Sequence, residues 1–495
     1  MENTRINWNA RAIVLAAGQA SRFKTKKTKL LFNICGRSMI LYPLKVLEDL
    51  NLPMTLVLGY QAEDVRKEIE KEGVAKTQFV IQQEQKGTGH AVACSEETWD
   101  QDDILILYGD TPLISKELIR TLLIEHQESK AIISFCSTLV LDASGYGRVI
   151  GYNDGIVRII EEKDCTEEQR ALNRINAGIY VMKKSFLKEN IHHIKPSPVS
   201  GEIYFTHLIN MASDQGLPVH VVNVPYDNVR GVNTLQELWS VEQIKRSEFI
   251  KHWMLQGVRF ELAQSIHIDI NVEIGAGSFI GTGVHLLGKT KLGEENTIGA
   301  FSIIENTITE DNVSIHSHSV IQDSTIHHNA HIGPFARLRN NVIIGAHAEI
   351  GNFVEIKQTT IGEKTKMKHL SYLGNATVGS GVNIGAGTVL CNYDGERKHP
   401  TTIEDNAFIG SNNTLVSPIT IGKDSYTAAG STITKDVPQD SLAIGRSKQV
   451  NKEGYAKKIR EKLQKKTCLN NDQEDKKSLN FLGAVKTTNS EHNEL

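Results

Sequence analysis

The 495-residue chain lacks the marks of secreted, disulfide-stabilised and membrane-spanning proteins. Its six cysteines are scattered, with no Cys-x-x-Cys pair and no histidine at a zinc-ligand spacing, which predicts a reduced intracellular protein. The first residues do not form a signal peptide, and no stretch approaches the ~18 consecutive apolar residues that span a bilayer. We therefore expect a cytoplasmic protein.

The chain also lacks an excess of charge of either sign. Its 55 lysines and arginines nearly balance its 58 aspartates and glutamates, so the formal net charge is only −3. Nucleic acids and membranes are therefore not expected partners, because nucleic acids and anionic membranes both attract a basic surface. The length and the 40% of hydrophobic residues are sufficient for two to four packed domains.

What the second half has is a register of aliphatic residues followed by glycine. Examples separated by six residues are Ile274-Gly275 and Ile280-Gly281, and again Ile344-Gly345 and Ile350-Gly351. A period of six fits neither a helix nor a two-residue alternation, but it fits one short strand and one turn per repeat. Three repeats would close a triangular coil, with the aliphatic residue inside and the glycine at the corner. Residues 258–455 are therefore predicted to form a parallel β-helix; the alternative is chance clustering in another all-β domain.

Residues 1–234 alternate between short apolar runs and helical stretches. Runs such as Ala12 to Ala17 and Ile104 to Tyr108 predict strands, and stretches such as Met39 to Leu50 and Gly89 to Thr98 predict helices. This alternation predicts a Rossmann-like, mostly parallel sheet with helices on both faces, whose ligands gather at the carboxyl ends of the strands. The other predicted elements are the strands Met54 to Gly59, Phe79 to Ile81 and Ile132 to Val140, and the helix Asp64 to Glu72.

Three further segments complete the predicted organisation. Residues 235–257 contain no proline before the glycine at their end and predict one long helix that links the two domains. The segment Cys391 to Pro400 breaks the six-residue register, and an inserted loop in a solenoid is often functional. A basic helix candidate spans Tyr455 to Lys466. Residues 456–495 are assigned to a polar tail, whose stretch from Asn470 to Leu495 is predicted to be disordered.

Three parts of the first half carry residues suited to phosphate, base and metal binding. Gly18 follows a buried strand, where backbone N–H groups can approach a phosphate, and Arg22 and Lys29 can add positive charge. Thr88 stands between two glycines at a predicted helix start, and Asp110 follows a central strand, where a carboxylate can hold Mg²⁺. Taken singly, each feature has an ordinary explanation. Gly18 and Arg22 are also typical of a strand-to-helix turn, Lys29 of a solvated lysine, and Asp110 of a helix cap.

In combination and in this order, the segments resemble the sugar-nucleotide pyrophosphorylases, which join a nucleoside triphosphate to a sugar 1-phosphate. The segments are Leu15-Ala-Ala-Gly18, Gln82-x-Glu-Gln-x-Gly-Thr-Gly-His-Ala91 and Leu107-Tyr-Gly-Asp110. With the six-residue repeats, the resemblance narrows to the bacterial family of bifunctional N-acetylglucosamine-1-phosphate uridyltransferases and glucosamine-1-phosphate acetyltransferases. It covers about residues 11 to 455 and implies a left-handed β-helix.

The resemblance implies a site for UTP and UDP-N-acetylglucosamine in the first domain. Asp110 and Asn233 match the pair that binds Mg²⁺, and Arg22 and Lys29 match catalytic cations that stabilise the phosphates. The positions that match contacts to the nucleotide or its sugar are Leu15, Ala16, Gly18, Lys29, Gln82, Gly87, Thr88, Tyr108, Asp110, Gly147, Glu161, Asn176 and Asn233.

The chain departs from the family pattern at three positions of this domain. Ala20 stands where the family has a second glycine, Thr28 where it has a proline, and His207 where it has an acidic residue. We expect a retained but slower uridyltransferase. One alternative is an acetyltransferase with a weakened or regulatory first domain that binds sugar nucleotides. The others are a scaffolding protein and a pyrophosphorylase with a purely structural β-helix.

The second half carries a candidate base and a candidate phosphate clamp. His369 could deprotonate an amine, and Arg339, Lys357 and Tyr372 could bind a sugar phosphate. In the resemblance, His369 matches the general base and Glu355 its orienting carboxylate. The positions that match glucosamine 1-phosphate contacts are Arg339, Lys357, Tyr372, Asn383 and Lys398, and those that match acetyl-CoA contacts are Ala386, Asn392, Tyr393, Ser411, Ala429 and Arg446.

The resemblance implies a two-step synthesis of UDP-N-acetylglucosamine, a precursor of the cell envelope. Acetyl-CoA would acetylate glucosamine 1-phosphate on the β-helix, and UTP would then react with N-acetylglucosamine 1-phosphate in the first domain, with Mg²⁺ as cofactor. The same family implies a homotrimer held together by the β-helix.

Overall fold

The computed structural model describes residues 8–19, 21–151 and 156–467. The first domain is an α/β domain whose strands and helices alternate along the chain. Its strands are β1 (Ala10–Ala16), β2 (Asn33–Ile34), β3 (Arg37–Ser38), β4 (Met54–Leu58), β5 (Thr77–Ile81), β6 (Asp103–Tyr108), β7 (Ile133–Leu139), β8 (Arg148–Ile150), β9 (Arg158–Ile160), β10 (Arg174–Lys183) and β11 (Val219–Asn223). Its helices are α1 (Leu41–Asp49), α2 (Ala62–Lys71), α3 (Thr88–Ala93), α4 (Lys116–Glu128), α5 (Glu167–Arg170), α6 (Lys184–Asn190) and α7 (His207–Asp214).

The main sheet has the strand order β11-β7-β10-β6-β1-β4-β5. Strand β10 runs antiparallel to both of its neighbours, and the other neighbouring pairs along this order are parallel. Every residue of β1 is buried; Val14 belongs to the hydrophobic core on one face and Ile13 to the core on the other. A strand covered on both faces must be apolar throughout, which explains the continuous run. The predicted mostly parallel sheet is confirmed.

The predicted elements differ from the observed ones mainly at their ends. The helix predicted from Gly89 to Thr98 is the clearest case, because α3 ends at Ala93 and only a 3-10 turn follows at Glu96–Thr98. Ser95 accounts for the early end: its hydroxyl donates to the Val92 carbonyl at 2.6 Å and accepts from Trp99 Nε1 at 3.0 Å. A serine that binds nearby backbone in this way competes with continuation of the helix.

A single long helix, α8 (Leu235–Leu255), connects the domains, as the sequence predicts. It begins where the Thr234 hydroxyl accepts a hydrogen bond from the Glu237 amide at 3.1 Å, which is the contact that an N-cap supplies. It ends just before Gly257, whose φ of +87° suits a residue without a side chain.

The second domain is the predicted left-handed parallel β-helix, built from short strands that stack coil on coil. One 19-stranded sheet covers two faces of the triangular coil, and a nine-stranded sheet covers the third. Its strands are β12 (Arg259–Phe260), β13 (His267–Ile268), β14 (Glu273–Ile274), β15 (Phe279–Ile280), β16 (His285–Leu287), β17 (Lys291–Leu292), β18 (Thr297–Ile298), β19 (Ile303–Glu305), β20 (Ile308–Thr309), β21 (Ser314–Ile315), β22 (Val320–Gln322), β23 (Ser324–Ile326), β24 (His331–Ile332), β25 (Arg337–Arg339), β26 (Val342–Ile344), β27 (Glu349–Lys357), β28 (Thr360–Ile361), β29 (Lys366–Gly374), β30 (Ala376–Val378), β31 (Asn383–Ile384), β32 (Val389–Cys391), β33 (Thr401–Ile403), β34 (Phe408–Ile409), β35 (Thr414–Val416), β36 (Ile419–Ile421), β37 (Tyr426–Thr427), β38 (Thr432–Ile433) and β39 (Leu442–Ala443).

Aliphatic side chains stack along the axis of the β-helix, as the repeats predict. One inward column runs through successive coils and is buried along its length: Ile268, Leu286, Ile304, Ile321, Leu338, Ile356, Leu373, Leu390 and Leu415. The corner glycines are required by the close approach of the next coil. A Cβ at Gly345, for example, would lie 2.6 Å from the backbone of Gly362 and 2.7 Å from that of Glu363. The triangular shape of the β-helix therefore depends on both the aliphatic residue and the glycine of each repeated pair.

The first domain is docked on the first coil of the β-helix. The carbonyl of Cys35, in the β2–β3 hairpin, accepts a hydrogen bond from the Ile270 amide at 3.0 Å. Gly36 lies against the Asp269 carboxylate at φ +79°, so a side chain there would both strain the backbone and collide. Arg246 of α8 donates to His267 Nδ1 at 3.1 Å. Hairpin, linker helix and first coil are thus joined by direct contacts.

The inserted loop and the tail follow the β-helix core. In the loop, the amides of Glu396 and Arg397 and the His399 ring all contact the Asp394 carboxylate, and these contacts hold the pKa of Asp394 well below its usual value. The basic helix predicted from Tyr455 to Lys466 is present over 455–467, and the rest of the predicted disordered tail lies outside the described residues. Among the described helices, none has the length and apolar composition needed to cross a membrane.

Candidate active sites

A cavity of about 410 Å³ opens at the carboxyl ends of β1, β5 and β6. Nine of the residues predicted to bind the nucleotide line it: Leu15, Ala16, Gly18, Lys29, Gln82, Gly87, Thr88, Tyr108 and Asp110. Sequence reasoning missed Gln85 and Glu202, which line it as well. Arg22 is exposed and does not line this cavity. The strand ends thus bring together three segments that are far apart in sequence.

Lys29 holds the two predicted metal ligands together. Its ammonium group donates to the Asp110 carboxylate and, at 2.9 Å each, to Asn233 Oδ1 and the Val232 carbonyl. The Val232 amide in turn donates to the Asp110 carbonyl at 3.0 Å. One carboxylate oxygen and one amide oxygen therefore converge on a single positive charge. Such hard oxygen donors suit Mg²⁺, which usually takes few protein ligands and completes its shell with phosphates and water.

The loop before α3 must have a glycine at position 87. Its φ of +115° is open mainly to glycine, and a Cβ there would lie 2.6 Å from the Ile203 carbonyl oxygen. Ile203 is bound to the same loop by its amide, which donates to the Lys86 carbonyl at 2.8 Å. The Thr88 hydroxyl accepts from the Phe205 amide at 3.0 Å. The segment 201–207 thus fixes one wall of the cavity.

Two glycine substitutions are expected to separate folding from binding at this cavity. Gly87→Ala should lower the midpoint of thermal unfolding by several degrees, because the new methyl group meets the Ile203 backbone. Gly18→Ala should leave that midpoint unchanged, since a Cβ there meets no atom within 4 Å, but it should weaken UTP binding about tenfold or more because Gly18 lines the cavity. Calorimetric unfolding and titration with UTP measure both. Equal losses of stability in the two variants would contradict the assignment of Gly87 to folding and of Gly18 to UTP binding.

Three residues predicted to contact the sugar, Gly147, Glu161 and Asn176, lie close to one another. A Cβ at Gly147 would stand 3.4 Å from the Glu161 carboxylate, and the Asn176 amide N–H donates to the Gly147 carbonyl at 2.9 Å. Glu161 also accepts from the Thr206 hydroxyl at 2.7 Å, and its burial raises the pKa of its carboxyl. The three residues therefore form one connected group.

The departures from the family pattern have distinct settings. Ala20 lies outside the described residues. Thr28 has φ −60°, which a proline would share, but its amide donates to Gln61 Oε1 at 2.6 Å, a bond that proline cannot make. His207 begins α7 and packs edge-on against Tyr204, and its charge opposes the effect of burial on the pKa of Glu161.

On the β-helix, three cations predicted to contact glucosamine 1-phosphate lie close together: Arg339, Lys357 and Lys398. Arg339 and Lys357 are neighbours in adjacent coils, and Arg339 binds Glu355 Oε1 through Nε at 3.0 Å. The contact of Lys357 with the Lys398 ammonium, together with that group's charge, lowers the pKa of Lys357. Lys398 belongs to the inserted loop. Cations held this close repel one another, which favours binding of an anion between them.

A contact with a neighbouring coil fixes the tautomer of His369. Its Nδ1 lies 3.0 Å from Asn352 Oδ1, an oxygen that only accepts, so Nδ1 carries the hydrogen and Nε2 has a lone pair for a proton. Glu355, predicted to orient His369, contacts Arg339, and the side chain that contacts the His369 ring in this structure is that of Asn352. Asn352 precedes His369 by 17 residues, one coil of this part of the helix. That coil length is the sequence signal that could have identified it.

His369 and three predicted acetyl-CoA contacts lie in one column of stacked residues. The Gly387 amide donates to the Leu370 carbonyl, which places Ala386 one coil beyond His369. A Cβ at Gly385 would lie 2.5 Å from the Ser411 amide, and one at Gly410 would lie 2.6 Å from the Ala429 amide. The column therefore runs from His369 through Ala386, Ser411 and Ala429.

The other predicted residues of this site have different settings. Asn392 is buried and donates to the Gly374 carbonyl at 3.1 Å, whereas Tyr393 is exposed. Tyr372 stacks in register beside Glu355, and Asn383 beside Lys366. Arg446 is exposed beyond the last coil, close to Gly430.

Comparisons with known proteins extend over both halves of the chain. The Nucleotidyl transferase family model matches residues 11–224, the model of the bacterial transferase hexapeptide (six repeats) matches residues 271–306, and that of the GMPPB C-terminal domain matches residues 320–421. Bifunctional protein GlmU of Alkaliphilus metalliredigens (strain QYMF) is 41% identical over 90% of this chain and 97% of its own length. The chain belongs to the GlmU family.

Other GlmU proteins give the same result. That of Clostridium botulinum (strain 657 / Type Ba4) is 40% identical over 90% of this chain and 98% of its own length. That of Exiguobacterium sp. (strain ATCC BAA-1283 / AT1b) is 38% identical over 90% of this chain and 99% of its own length. Membership of the GlmU family confirms the resemblance found in the sequence and makes the chain a bifunctional transferase.

Proposed function

We propose that the chain makes UDP-N-acetylglucosamine in two steps, acetyl transfer on the β-helix and uridylyl transfer in the first domain. The observation that carries the proposal is the alignment with GlmU proteins across both domains, over 97% of the length of one relative. The alternative of an acetyltransferase with a weakened first domain gains no support from the comparisons, because the Nucleotidyl transferase model matches residues 11–224.

In the first step, His369 acts as the general base for the amine of glucosamine 1-phosphate. The amine nitrogen attacks the thioester carbonyl of acetyl-CoA, His369 Nε2 accepts the proton that the nitrogen loses, and the coenzyme leaves as a thiolate that is then protonated. Asn352 fixes the ring so that Nε2 faces the reaction. The column of Ala386, Ser411 and Ala429 leaves room for the coenzyme beside the base, because its side chains are small.

The cluster of Arg339, Lys357 and Lys398 binds the phosphate of the amino sugar. On one chain, the exposed corner residues Phe353 and Leu370 stand between this cluster and the His369 column. A second copy can bring its cations to the base of the first, which supports the predicted homotrimer. We place this homotrimer in the cytoplasm, where the precursors of the cell wall are made.

The pH dependence of sugar phosphate binding follows from Lys357. Its pKa is lowered by its contact with Lys398 and by that group's charge, so Lys357 loses its proton at lower pH than an ordinary lysine. Affinity for glucosamine 1-phosphate should therefore weaken as the pH rises toward the usual lysine range. In Lys398→Gln the neutral-pH affinity should fall about tenfold, and the alkaline loss should move to higher pH. Calorimetric titrations from pH 7 to 10 test this, and identical pH profiles would contradict it.

In the second step, a phosphate oxygen of N-acetylglucosamine 1-phosphate attacks the α-phosphorus of UTP, and pyrophosphate leaves. This in-line exchange needs alignment and neutralisation of charge but no covalent protein intermediate. Lys29 and Arg22 supply cations, and the backbone at Gly18 approaches the phosphates. The oxygens of Asp110 and Asn233 would hold Mg²⁺, which would supply neutralisation of charge on the triphosphate.

One assay with purified full-length protein tests the whole proposal. Glucosamine 1-phosphate, acetyl-CoA, UTP and MgCl₂ are mixed, and free coenzyme A and pyrophosphate are followed together. We expect both to be released, with pyrophosphate appearing after a lag because its sugar substrate must first be acetylated. Release of coenzyme A alone, even with added N-acetylglucosamine 1-phosphate, would contradict the uridylyl step.

A further inference from the structure

The side-chain amide of Gln82 is held in one orientation by two acceptors. Gln82 lines the cavity of the first domain and is only 5% exposed. Its Nε2 donates to the Gly87 carbonyl at 3.2 Å and lies 3.0 Å from His90 Nδ1. A carbonyl oxygen only accepts hydrogen bonds, so the group that faces Gly87 must be the NH₂ group and not the oxygen.

This assignment determines the tautomer of His90. Because Gln82 Nε2 donates, His90 Nδ1 must accept, and the hydrogen of the neutral ring is therefore on Nε2. That nitrogen lies 3.8 Å from the Cys94 sulfur, a weak acceptor one turn along α3. Burial raises the pKa of the Cys94 thiol, so the sulfur is uncharged. Cys94, His90 and Gln82 form a chain in which each donor and acceptor is fixed.

Both hydrogens of the Gln82 amide are used by the protein, which leaves its oxygen for a ligand. Within the described part of the chain, Gln82 Oε1 forms no hydrogen bond. The Watson–Crick edge of uracil carries one ring N–H, at N3, whereas cytosine has a lone pair at N3. An oxygen facing N3 therefore attracts uracil and repels cytosine, and an amide turned by 180° would do the reverse.

We propose that His90 is a positioning residue that, together with the Gly87 carbonyl, makes Gln82 an acceptor and so sets the preference for uracil over cytosine. The inference rests on the proposed function, in which this cavity takes UTP. His90 does not line the cavity and contacts Gln82 from behind, so its effect is on base selection through the orientation of one amide. The ligand class is a pyrimidine nucleotide whose N3 carries hydrogen.

Three substitutions of His90 in the full-length protein test this role. His90→Asn retains an acceptor at the position of Nδ1, His90→Leu has similar size without an acceptor, and His90→Lys offers only donors. Dissociation constants for UTP and CTP are measured by calorimetry, so the result does not depend on turnover. We expect the CTP/UTP ratio of dissociation constants to fall about tenfold in the leucine and lysine variants and to stay within about twofold in the asparagine variant.

The outcomes separate the inference from the proposed function. An unchanged ratio in His90→Leu and His90→Lys overturns the positioning role, as does an equal fall in all three variants, which would indicate a packing defect. His192→Gln, a change at a histidine that pairs with Glu96 and not with Gln82, should leave the ratio as it is. A wild-type protein that prefers UTP in binding but releases no pyrophosphate would remove the proposed function and leave the inference standing.

Discussion

Replacing His369 with alanine should lower the rate of acetyl transfer at least ~100-fold, because the reaction loses its general base. Pyrophosphate release from UTP and N-acetylglucosamine 1-phosphate should be unchanged, since His369 lies on the β-helix and contacts Asn352 of the adjacent coil. Coenzyme A release, followed with a thiol reagent, measures the first effect, and a pyrophosphate assay measures the second. The unfolding temperature should stay that of the wild type, because the ring is exposed.

His316→Ala is the matched control for this variant. His316 lines the same groove of about 550 Å³ as His369, and it is also exposed. It does not contact Asn352, and its removal should change acetyl transfer less than about threefold. Comparable losses of acetyl transfer in the two variants would mean that the rate depends on the shape of the groove and not on a base at His369. A parallel loss of both activities in His369→Ala would contradict separate sites.

Replacing Asp110 with asparagine should lower the rate of pyrophosphate release by about 10³-fold and leave acetyl transfer unchanged. The substitution retains the shape of the side chain and a contact to Lys29, but it removes the negative charge that would bind Mg²⁺. Initial rates over a range of MgCl₂ concentrations measure the effect. The wild type should lose pyrophosphate release when a chelator is added and regain it with Mg²⁺.

Asp227→Asn removes a carboxylate in the segment that leads to Asn233. Asp227 is exposed and paired with Arg230 at 2.9 Å, so its loss should change neither activity measurably. A uridylyl activity that survives in Asp110→Asn at wild-type Mg²⁺ dependence would mean that the metal is bound elsewhere.

The fold could be predicted from the sequence to the extent that it depends on local repetition. Each coil of the β-helix repeats one pattern, because an inward aliphatic residue such as Ile356 must stack on its equivalents and a corner glycine such as Gly345 must admit the next coil. The direction of β10 could not be predicted in this way. Its antiparallel pairing with β6 and β7 depends on partners distant in sequence, and its own apolar run suits either direction.

In the candidate sites, too, local motifs could be predicted and contacts between distant segments could not. Continuous motifs predict that residues such as Gly18, Thr88 and Asp110 meet at one edge of the sheet, because parallel strands end there, and all three line the same cavity. Contacts made between coils or between loops were not predicted: Asn352 beside His369 depends on a coil of 17 residues, and His90 behind Gln82 depends on the turn at Gly87. Such partners are set by packing, which a linear pattern does not record.

The contact between Cys35 and Ile270 affects how the acetylated sugar phosphate reaches the site of the second proposed reaction. It anchors the first domain on the first coil, whereas six coil-to-coil steps lead from His267 to Tyr372, roughly 29 Å at the spacing of stacked strands. Because the first domain is anchored at one end of the β-helix, it cannot move to the acetyltransferase site to take up the product directly. We therefore expect the acetylated sugar phosphate to pass through bulk water between the two sites, so that its free concentration limits the second reaction.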